Sequence, residues 1–204
     1  NTEDTTKGYI IIEGGSLNIT SGGDGIQAET TLTISDGDIN IVSGGGSSNA
    51  ATHAESFQMG PWANPSNTSS SSSSETGSAK ALKAGTALTV DGGNITIDSA
   101  DDSIHTNDTV TINGGYIVID VAGDGVDSNG SITMTNGTVI VNGPENSGNG
   151  ALDYDTSFDI SGGVFVAAGN NGMVQAPSTS SSQASINVSL PSSSSNSMVS
   201  ILDA

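Results

Sequence analysis

The sequence predicts an all-β fold: a right-handed parallel β-helix, a solenoid of about six coils with 22 residues and three strands per coil. Three observations lead there. A marker glycine recurs at Gly15, Gly37, Gly93, Gly115, Gly137 and Gly163, in steps of 22, 56, 22, 22 and 26 residues. Apolar residues alternate in three short bursts within each repeat. Strong helix formers do not dominate, whereas 28 glycines and abundant Ser and Thr favour turns and strands. A fixed period of this length marks a solenoid, in which each coil buries its apolar face against its neighbours.

Each element follows from that register. The first burst is Ile26/Ala28, Leu82/Ala84, Ile104/Thr106, Val126/Ser128 and Leu152/Tyr154. The second is Leu32/Ile34, Leu88/Val90, Val110/Ile112, Ile132/Met134 and Phe158/Ile160. After the glycine comes the third: Leu17/Ile19, Ile39/Ile41, Ile95/Ile97, Ile117/Ile119, Val139/Val141 and Phe165/Ala167. Alternation at period two means strands with one buried face. Each strand then pairs with its equivalent in the next coil, about 4.8 Å away. Between the second and third strands the marker glycine supplies the positive φ of a sharp bend, with no Cβ to clash.

The departures from the period set the domain boundaries. The step of 56 residues is one repeat carrying 34 inserted ones, a Ser-rich loop insertion at 47–78. The step of 26 absorbs four residues near Pro144–Gly150. The β-helix therefore spans 1–176. Residues 177–204 form a C-terminal segment that stops inside an apparent strand and reads as truncated. Tyr116, Val118, Ile140, Val164 and Val166 make an outward apolar stripe, the expected docking flank for that segment. The chain opens on Asn1 without Met and reads as processed.

Composition excludes several functions. There are 22 acidic side chains against three basic ones, Lys7, Lys80 and Lys83, for a net charge of −19. Without Arg or a basic patch the chain cannot track a nucleic-acid backbone. No apolar run approaches the length of a transmembrane helix. Cys is absent, which removes disulfides, thiol catalysis and thiolate metal sites. An acidic, Cys-free, Ser/Thr/Asn/Gly-rich chain fits a bacterial extracellular protein.

Residues able to carry chemistry surround the first strand of each coil. Before it stand Asp24, Lys80, Asp102 and Asp124 in equivalent positions, with Asp101 beside Asp102. Its outward centre carries Gln27, Lys83, His105, Asp127 and Asp153, and its end carries Glu29, Gly85, Asn107, Asn129 and Asp155. Carboxylates thus form a ladder along one edge of the rod. Two of them about 5 Å apart repel by roughly 3 kcal/mol at an effective dielectric near 20. Protonation, side-chain splay or a bound cation must offset this. Oxygen-only donors favour a hard cation, and flexible clustered carboxylates favour Ca²⁺ over Mg²⁺. The candidate ligands are Asp24, Asp101, Asp102, Asp124, Asp127, Asp153 and Asp155; the alternative is a solvated acidic face with no specific ion. Lys80 is expected to bridge Asp24 and Asp102. Trp62, beside His53, Phe57, Met59 and Pro61 in the insertion, is either a sugar-stacking platform or part of a cover over the rod. Lys83, His105, Asn107 and Asn129 join Trp62 as candidate substrate contacts.

The units Gly23-Asp24-Gly25-Ile26-Gln27-Ala28, Ser78-Ala79-Lys80-Ala81-Leu82-Lys83-Ala84, Asp101-Asp102-Ser103-Ile104-His105-Thr106 and Gly123-Asp124-Gly125-Val126-Asp127-Ser128 are each followed by a strand. With the Gly-Gly-x-Ile-x-Ile units, this pattern resembles the clostridial cell-surface family of carbohydrate-binding β-helix proteins, related in fold to pectate lyases. The likeness covers nearly the whole chain. It implies binding of plant cell-wall polysaccharide, both cellulose and acidic sugars such as polygalacturonate, with Ca²⁺ on the helix and a secreted or cell-surface location.

Three function classes remain. The first is a binding module without catalytic residues, in which Ca²⁺ bridges the acidic surface to uronate carboxylates. The second is a Ca²⁺-dependent polysaccharide lyase, for which Lys83 or Lys80 would serve as base. Neighbouring carboxylates oppose the lowered pKa that role demands. The third is a surface adhesin or ice-binding module, suggested by the outward rows Thr31/Thr33, Thr109/Thr111 and Ser131/Thr133, which Ala87 and Asp159 interrupt. Thr is also simply favoured on exposed strands.

Overall fold

The computed structural model describes residues 7–52 and 78–190. Among them the chain winds as a β-solenoid of about six turns with roughly 22-residue spacing, in three parallel sheets. The first sheet holds the short strands β3 (Ile26–Ala28), β6 (Leu82–Ala84), β9 (Ile104–Thr106), β12 (Val126–Ser128) and β15 (Leu152–Tyr154). The second holds β1 (Ile10–Ile12), β4 (Thr31–Ile34), β7 (Ala87–Val90), β10 (Thr109–Ile112), β13 (Ser131–Met134) and β16 (Ser157–Ile160). The third holds β2 (Ser16–Ser21), β5 (Asp38–Ser43), β8 (Asn94–Ser99), β11 (Tyr116–Val121), β14 (Thr138–Asn142) and β17 (Val164–Ala168).

Strand register follows the sequence period. Val110 pairs with Leu88 and Ile132, and Ile117 pairs with Ile95 and Val139. The inward positions stack into ladders that fill the rod. Leu32, Leu88, Val110, Ile132 and Phe158 are all fully buried. At the last coil the Phe158 and Phe165 rings meet edge to face, with centroids 5.1 Å apart.

The marker glycines all have positive φ, for example +89° at Gly115 and +92° at Gly93. A Cβ on Gly115 would lie 3.0 Å from the Gly92 carbonyl oxygen and 3.1 Å from that of Gly93. Both backbone conformation and the close stacking of bends therefore require glycine there.

Both breaks in the period fall at one corner. The insertion lies between β5 and β6, and the four extra residues lie between β14 and β15. This is the corner that carries the acidic row. The insertion leaves it through a 3-10 segment at Ser47–Thr52, whose entry is held by Asp98 Oδ1 accepting the Ser47 N–H at 2.6 Å. Trp62, His53, Phe57, Met59 and Pro61 lie outside the described residues, as does 191–204.

The described part of the C-terminal segment does not cover the apolar flank. It runs along the open end of the rod. Just before it, Gln175 meets β15, accepting the Tyr154 N–H at 3.0 Å, and the Tyr154 hydroxyl donates to the Ala176 carbonyl at 2.8 Å. Ser178 and Gln183 then donate backbone N–H groups to the carbonyls of Phe158 and Ile160 in β16. Unpaired strand carbonyls at the end of a sheet need donors, and this segment supplies them. Val164 and Val166 remain about half exposed, at 52% and 50%.

Candidate functional site

The outward row of the first sheet is set by strand pairing: Gln27, Lys83, His105, Asp127 and Asp153 are consecutive register partners. Asp24, Lys80, Asp102 and Asp124 stand just before the strands, and serines support the turns of Asp24 and Asp102 from beneath. Ser21 Oγ lies 2.8 Å from the Asp24 carbonyl, and Ser99 Oγ lies 3.0 Å from the Asp102 carbonyl. Ser99 is fully buried and also accepts from Ser43. These buried serines were not singled out from the sequence. Their signal is a hydroxyl recurring at the last inward position of the third strand.

The acidic row is a ladder of carboxylates that accept backbone N–H groups from the next coil. Asp24 Oδ1 accepts from Lys80 N at 2.9 Å, Asp102 Oδ1 from Asp124 N at 2.8 Å, and Asp124 Oδ1 from Gly150 N at 2.6 Å. Carboxylates facing one another across coils therefore spend one oxygen on the backbone.

Electrostatics divides the row in two. In the first half, Lys80 Nζ pairs with Asp102 and lies 3.3 Å from Asp101, while Lys83 Nζ pairs with Asp24 at 3.2 Å. The expected Lys80 bridge between Asp24 and Asp102 is thus corrected. Lys80 turns toward the two carboxylates of the following coil, and Lys83 takes Asp24. Burial alone would lower the Lys80 pKa, but the charges of Asp102 and Asp101 reverse this and raise it. The ion pairs of Lys80 oppose the lowered pKa that a general base needs, which counts against Lys80 in the lyase reading.

In the second half no lysine is present. Asp124 is pushed up to about 7, by burial first and then by Asp102, Asp153 and Asp127, against the Gly150 N–H. Asp153 is also raised, by burial and by Asp127 and Asp155. Asp127 is paired with His105 Nδ1, and the imidazole also lies 3.9 Å from Asp102. Asp102, His105 and Asp127 offer ligand atoms within 4.8 Å of one another. That trio is already compensated from within, by Lys80 on Asp102 and the imidazole on Asp127. Asn107, Asn129 and Asp155 are exposed at the far ends of their strands and border the same face.

The seven proposed metal ligands therefore do not form one site. Asp24, Asp101 and Asp102 are matched by lysines. Asp124 and Asp153 remain without a cationic partner among the described residues, beside the His105-paired Asp127 and with Asp155 at the margin. One oxygen of Asp124 and one of Asp127 face no protein donor among the described residues. An all-oxygen set with room for further donors fits Ca²⁺, whose six to eight ligands commonly include waters and ligand oxygens.

The model of a family described as carbohydrate-binding domain-containing protein matches residues 1–125. The chain belongs to this carbohydrate-binding domain family. The match spans more than half of the 204 residues and includes the lysine-bearing half of the row together with Asp124. Comparison with curated proteins and with solved structures gives no match. Family membership supports a carbohydrate partner and a binding role. Among the described residues no helix is long and apolar enough to cross a membrane.

Proposed function

We propose that this chain is a secreted or cell-surface module that holds plant cell-wall polysaccharide on the face of its first sheet, with Ca²⁺ at the lysine-free half of the acidic row. The observation that carries this reading is the pair Asp124 and Asp153, carboxyl groups without a lysine partner whose pKa burial and neighbouring carboxylates raise, with Asp127 in register beside Asp153. Asp124, Asp127 and Asp153 would hold the ion, with Asp155 in reach of the margin. The bound cation supplies the positive charge that lets a surface of net charge −19 accept uronate carboxylates. His105, Asn107 and Asn129 line the same face and offer hydrogen bonds to sugar hydroxyls; Lys83, at its lysine-bearing end, offers a cation. Polygalacturonate is the polymer that best matches this chemistry, and cellulose lacks the carboxylates that would use the ion.

Ca²⁺ at a hundred times its dissociation constant should stabilise the fold by about 2.7 kcal/mol. Melting temperature is read with Ca²⁺, with Mg²⁺, with chelator and with NaCl of equal ionic strength, beside retention on polygalacturonate. Ca²⁺ alone should raise the melting temperature and retention together. Asp124→Asn should abolish both responses, and Asp108→Asn, at an exposed position away from the row, should keep them. A Ca²⁺ effect that NaCl reproduces, or full retention in chelator, would overturn the ion-bridged reading.

A further inference from the structure

We propose that Asp102, His105 and Asp127 form a second metal site, one that takes a borderline transition cation such as Zn²⁺ through the His105 imidazole. This inference does not rest on the Ca²⁺ reading of the neighbouring carboxylates, and three observations carry it.

The first is convergence. His105 and Asp127 are register partners on β9 and β12, and Asp102 stands three residues before His105, just ahead of β9. Strand pairing therefore brings donors from two adjacent coils to one place on a rigid frame. The imidazole turns Nδ1 toward both acids, pairing with Asp127 Oδ2 and lying 3.9 Å from Asp102 Oδ2. The three ligand atoms fall within 4.8 Å of one another. An ion about 2 Å from each of them fits after a small inward rotation of the side chains.

The second is donor chemistry. The rest of the row offers ammonium groups and carboxylate or amide oxygens, whereas this trio adds a nitrogen. A ring nitrogen with two carboxylate oxygens suits Zn²⁺ and its transition-series neighbours, while Ca²⁺ and Mg²⁺ prefer oxygen throughout. Three protein ligands leave a coordination position for water or for a ligand oxygen. Asp102 is also oriented for the role: its Oδ1 accepts the Asp124 N–H at 2.8 Å, which leaves Oδ2 on the side of His105.

The third is an excess of buried negative charge. Asp101, Asp102 and Asp127 are buried, at 9%, 7% and 9% exposure, and Lys80 pairs with the first two. Buried carboxylates need compensation. One ammonium does not balance three of them, and the imidazole adds charge only while both of its nitrogens carry protons. A metal ion takes the place of the Nδ1 proton and supplies two charges. When the ion takes Asp102 Oδ2, Lys80 keeps a partner in Asp101, 3.3 Å away. Asp127 gives this site Oδ2, so its other oxygen stays available to the Ca²⁺ group.

The test is calorimetric titration of the untagged 204-residue chain with Zn²⁺, beside visible spectroscopy with Co²⁺ as a coloured substitute. Zn²⁺ should bind, and the Co²⁺ band should shift from that of the aqueous ion. His105→Gln keeps a hydrogen-bonding group beside Asp127 and should fold normally by circular dichroism. It should weaken Zn²⁺ about tenfold or more, since even a group that merely supports a metal ligand is worth that much. His53→Gln removes the chain's other histidine and should leave Zn²⁺ affinity unchanged. In that variant the remaining imidazole ring signals should shift with Zn²⁺ in proton NMR and ignore Mg²⁺, a readout that stands even where His105→Gln fails to fold. Ring signals that ignore Zn²⁺ would overturn the proposal, and so would full Zn²⁺ affinity in His105→Gln. Bleaching of the Co²⁺ band by an equal concentration of Ca²⁺ would overturn it as well, by assigning the trio to the Ca²⁺ group.

Discussion

The two halves of the acidic row share one backbone and differ in two lysines. Asp24, Asp101 and Asp102 occupy the same turns as Asp124, yet Lys80 and Lys83 stand among them and hold them as ion pairs. Around Asp124 and Asp153 no lysine stands, and burial and neighbouring carboxylates raise their pKa values with no ammonium to oppose them, whereas Lys80 opposes the effect of burial on Asp102. Repetition of a coil thus fixes where a side chain starts, while its neighbours one coil away decide whether it is part of the scaffold or available to a ligand. In a repeat protein, the rung that lacks its compensating charge is where an ion or substrate is best accommodated.

The difference between the halves depends most on Lys80. Lys80→Met leaves Asp101 and Asp102 buried without their ammonium, and such losses cost about 3–5 kcal/mol. Urea unfolding at neutral pH should show this. The variant should also acquire a second divalent-cation response, because its first half then resembles the second. A loss below about 1 kcal/mol would mean the pair behaves as a solvated surface pair.

The shared frame is tested at Gly115. With φ at +89° and neighbouring carbonyls at 3.0–3.1 Å, Gly115→Val should cost about 1–3 kcal/mol in backbone strain, with the clash in addition. Because this bend supports coils on both sides, both the Lys80 pairing and the Ca²⁺ response should weaken. An unchanged melting temperature would contradict the bend geometry.

The lysine-free half should also show itself in pH dependence when divalent cations are chelated. The folded pKa of Asp124, about 7, exceeds its ordinary value of 3.8, so the folded state binds the proton more tightly than the unfolded chain. This contribution to stability is complete below the ordinary value and is lost as pH rises through about 7. Asp153 shifts in the same direction, and so does Asp102 in the lysine-bearing half, by burial first. Melting temperature should therefore fall between about pH 5 and about pH 8, and Asp124→Asn should flatten part of the slope. Stability that rises over this range would refute the assignment.

The smallest effect is expected at Lys83, whose side chain is 28% exposed against 14% for Lys80. Lys83→Met should cost under about 1 kcal/mol, because solvent already screens its pairing with Asp24. A cost equal to that of Lys80→Met would erase the distinction between an internal and a peripheral lysine.

By itself, the sequence determined the coil. The period of the marker glycines, the alternation of Ile, Val and Leu, and the alignment of Lys83, His105, Asp127 and Asp153 on one strand face are linear patterns. A solenoid turns linear patterns directly into neighbours, because each residue stacks on its equivalent one period away. Tertiary structure alone decided which partner each side chain chose. Register places Cβ atoms but not rotamers, so it could not show Lys80 turning toward Asp101 and Asp102 and leaving Asp24 to Lys83. Nor could it show that Asp102 and Asp124 each give one oxygen to a backbone N–H, since the direction of a turn's N–H depends on how the next coil corner is bent. The C-terminal segment followed the same logic. Its alternating Ile186, Val188 and Leu190 suggested a strand seeking an apolar flank, but the unpaired carbonyls of Phe158 and Ile160 drew the residues just before it to the end of the rod. An unsatisfied backbone group is invisible in a sequence, because it exists only where a sheet stops.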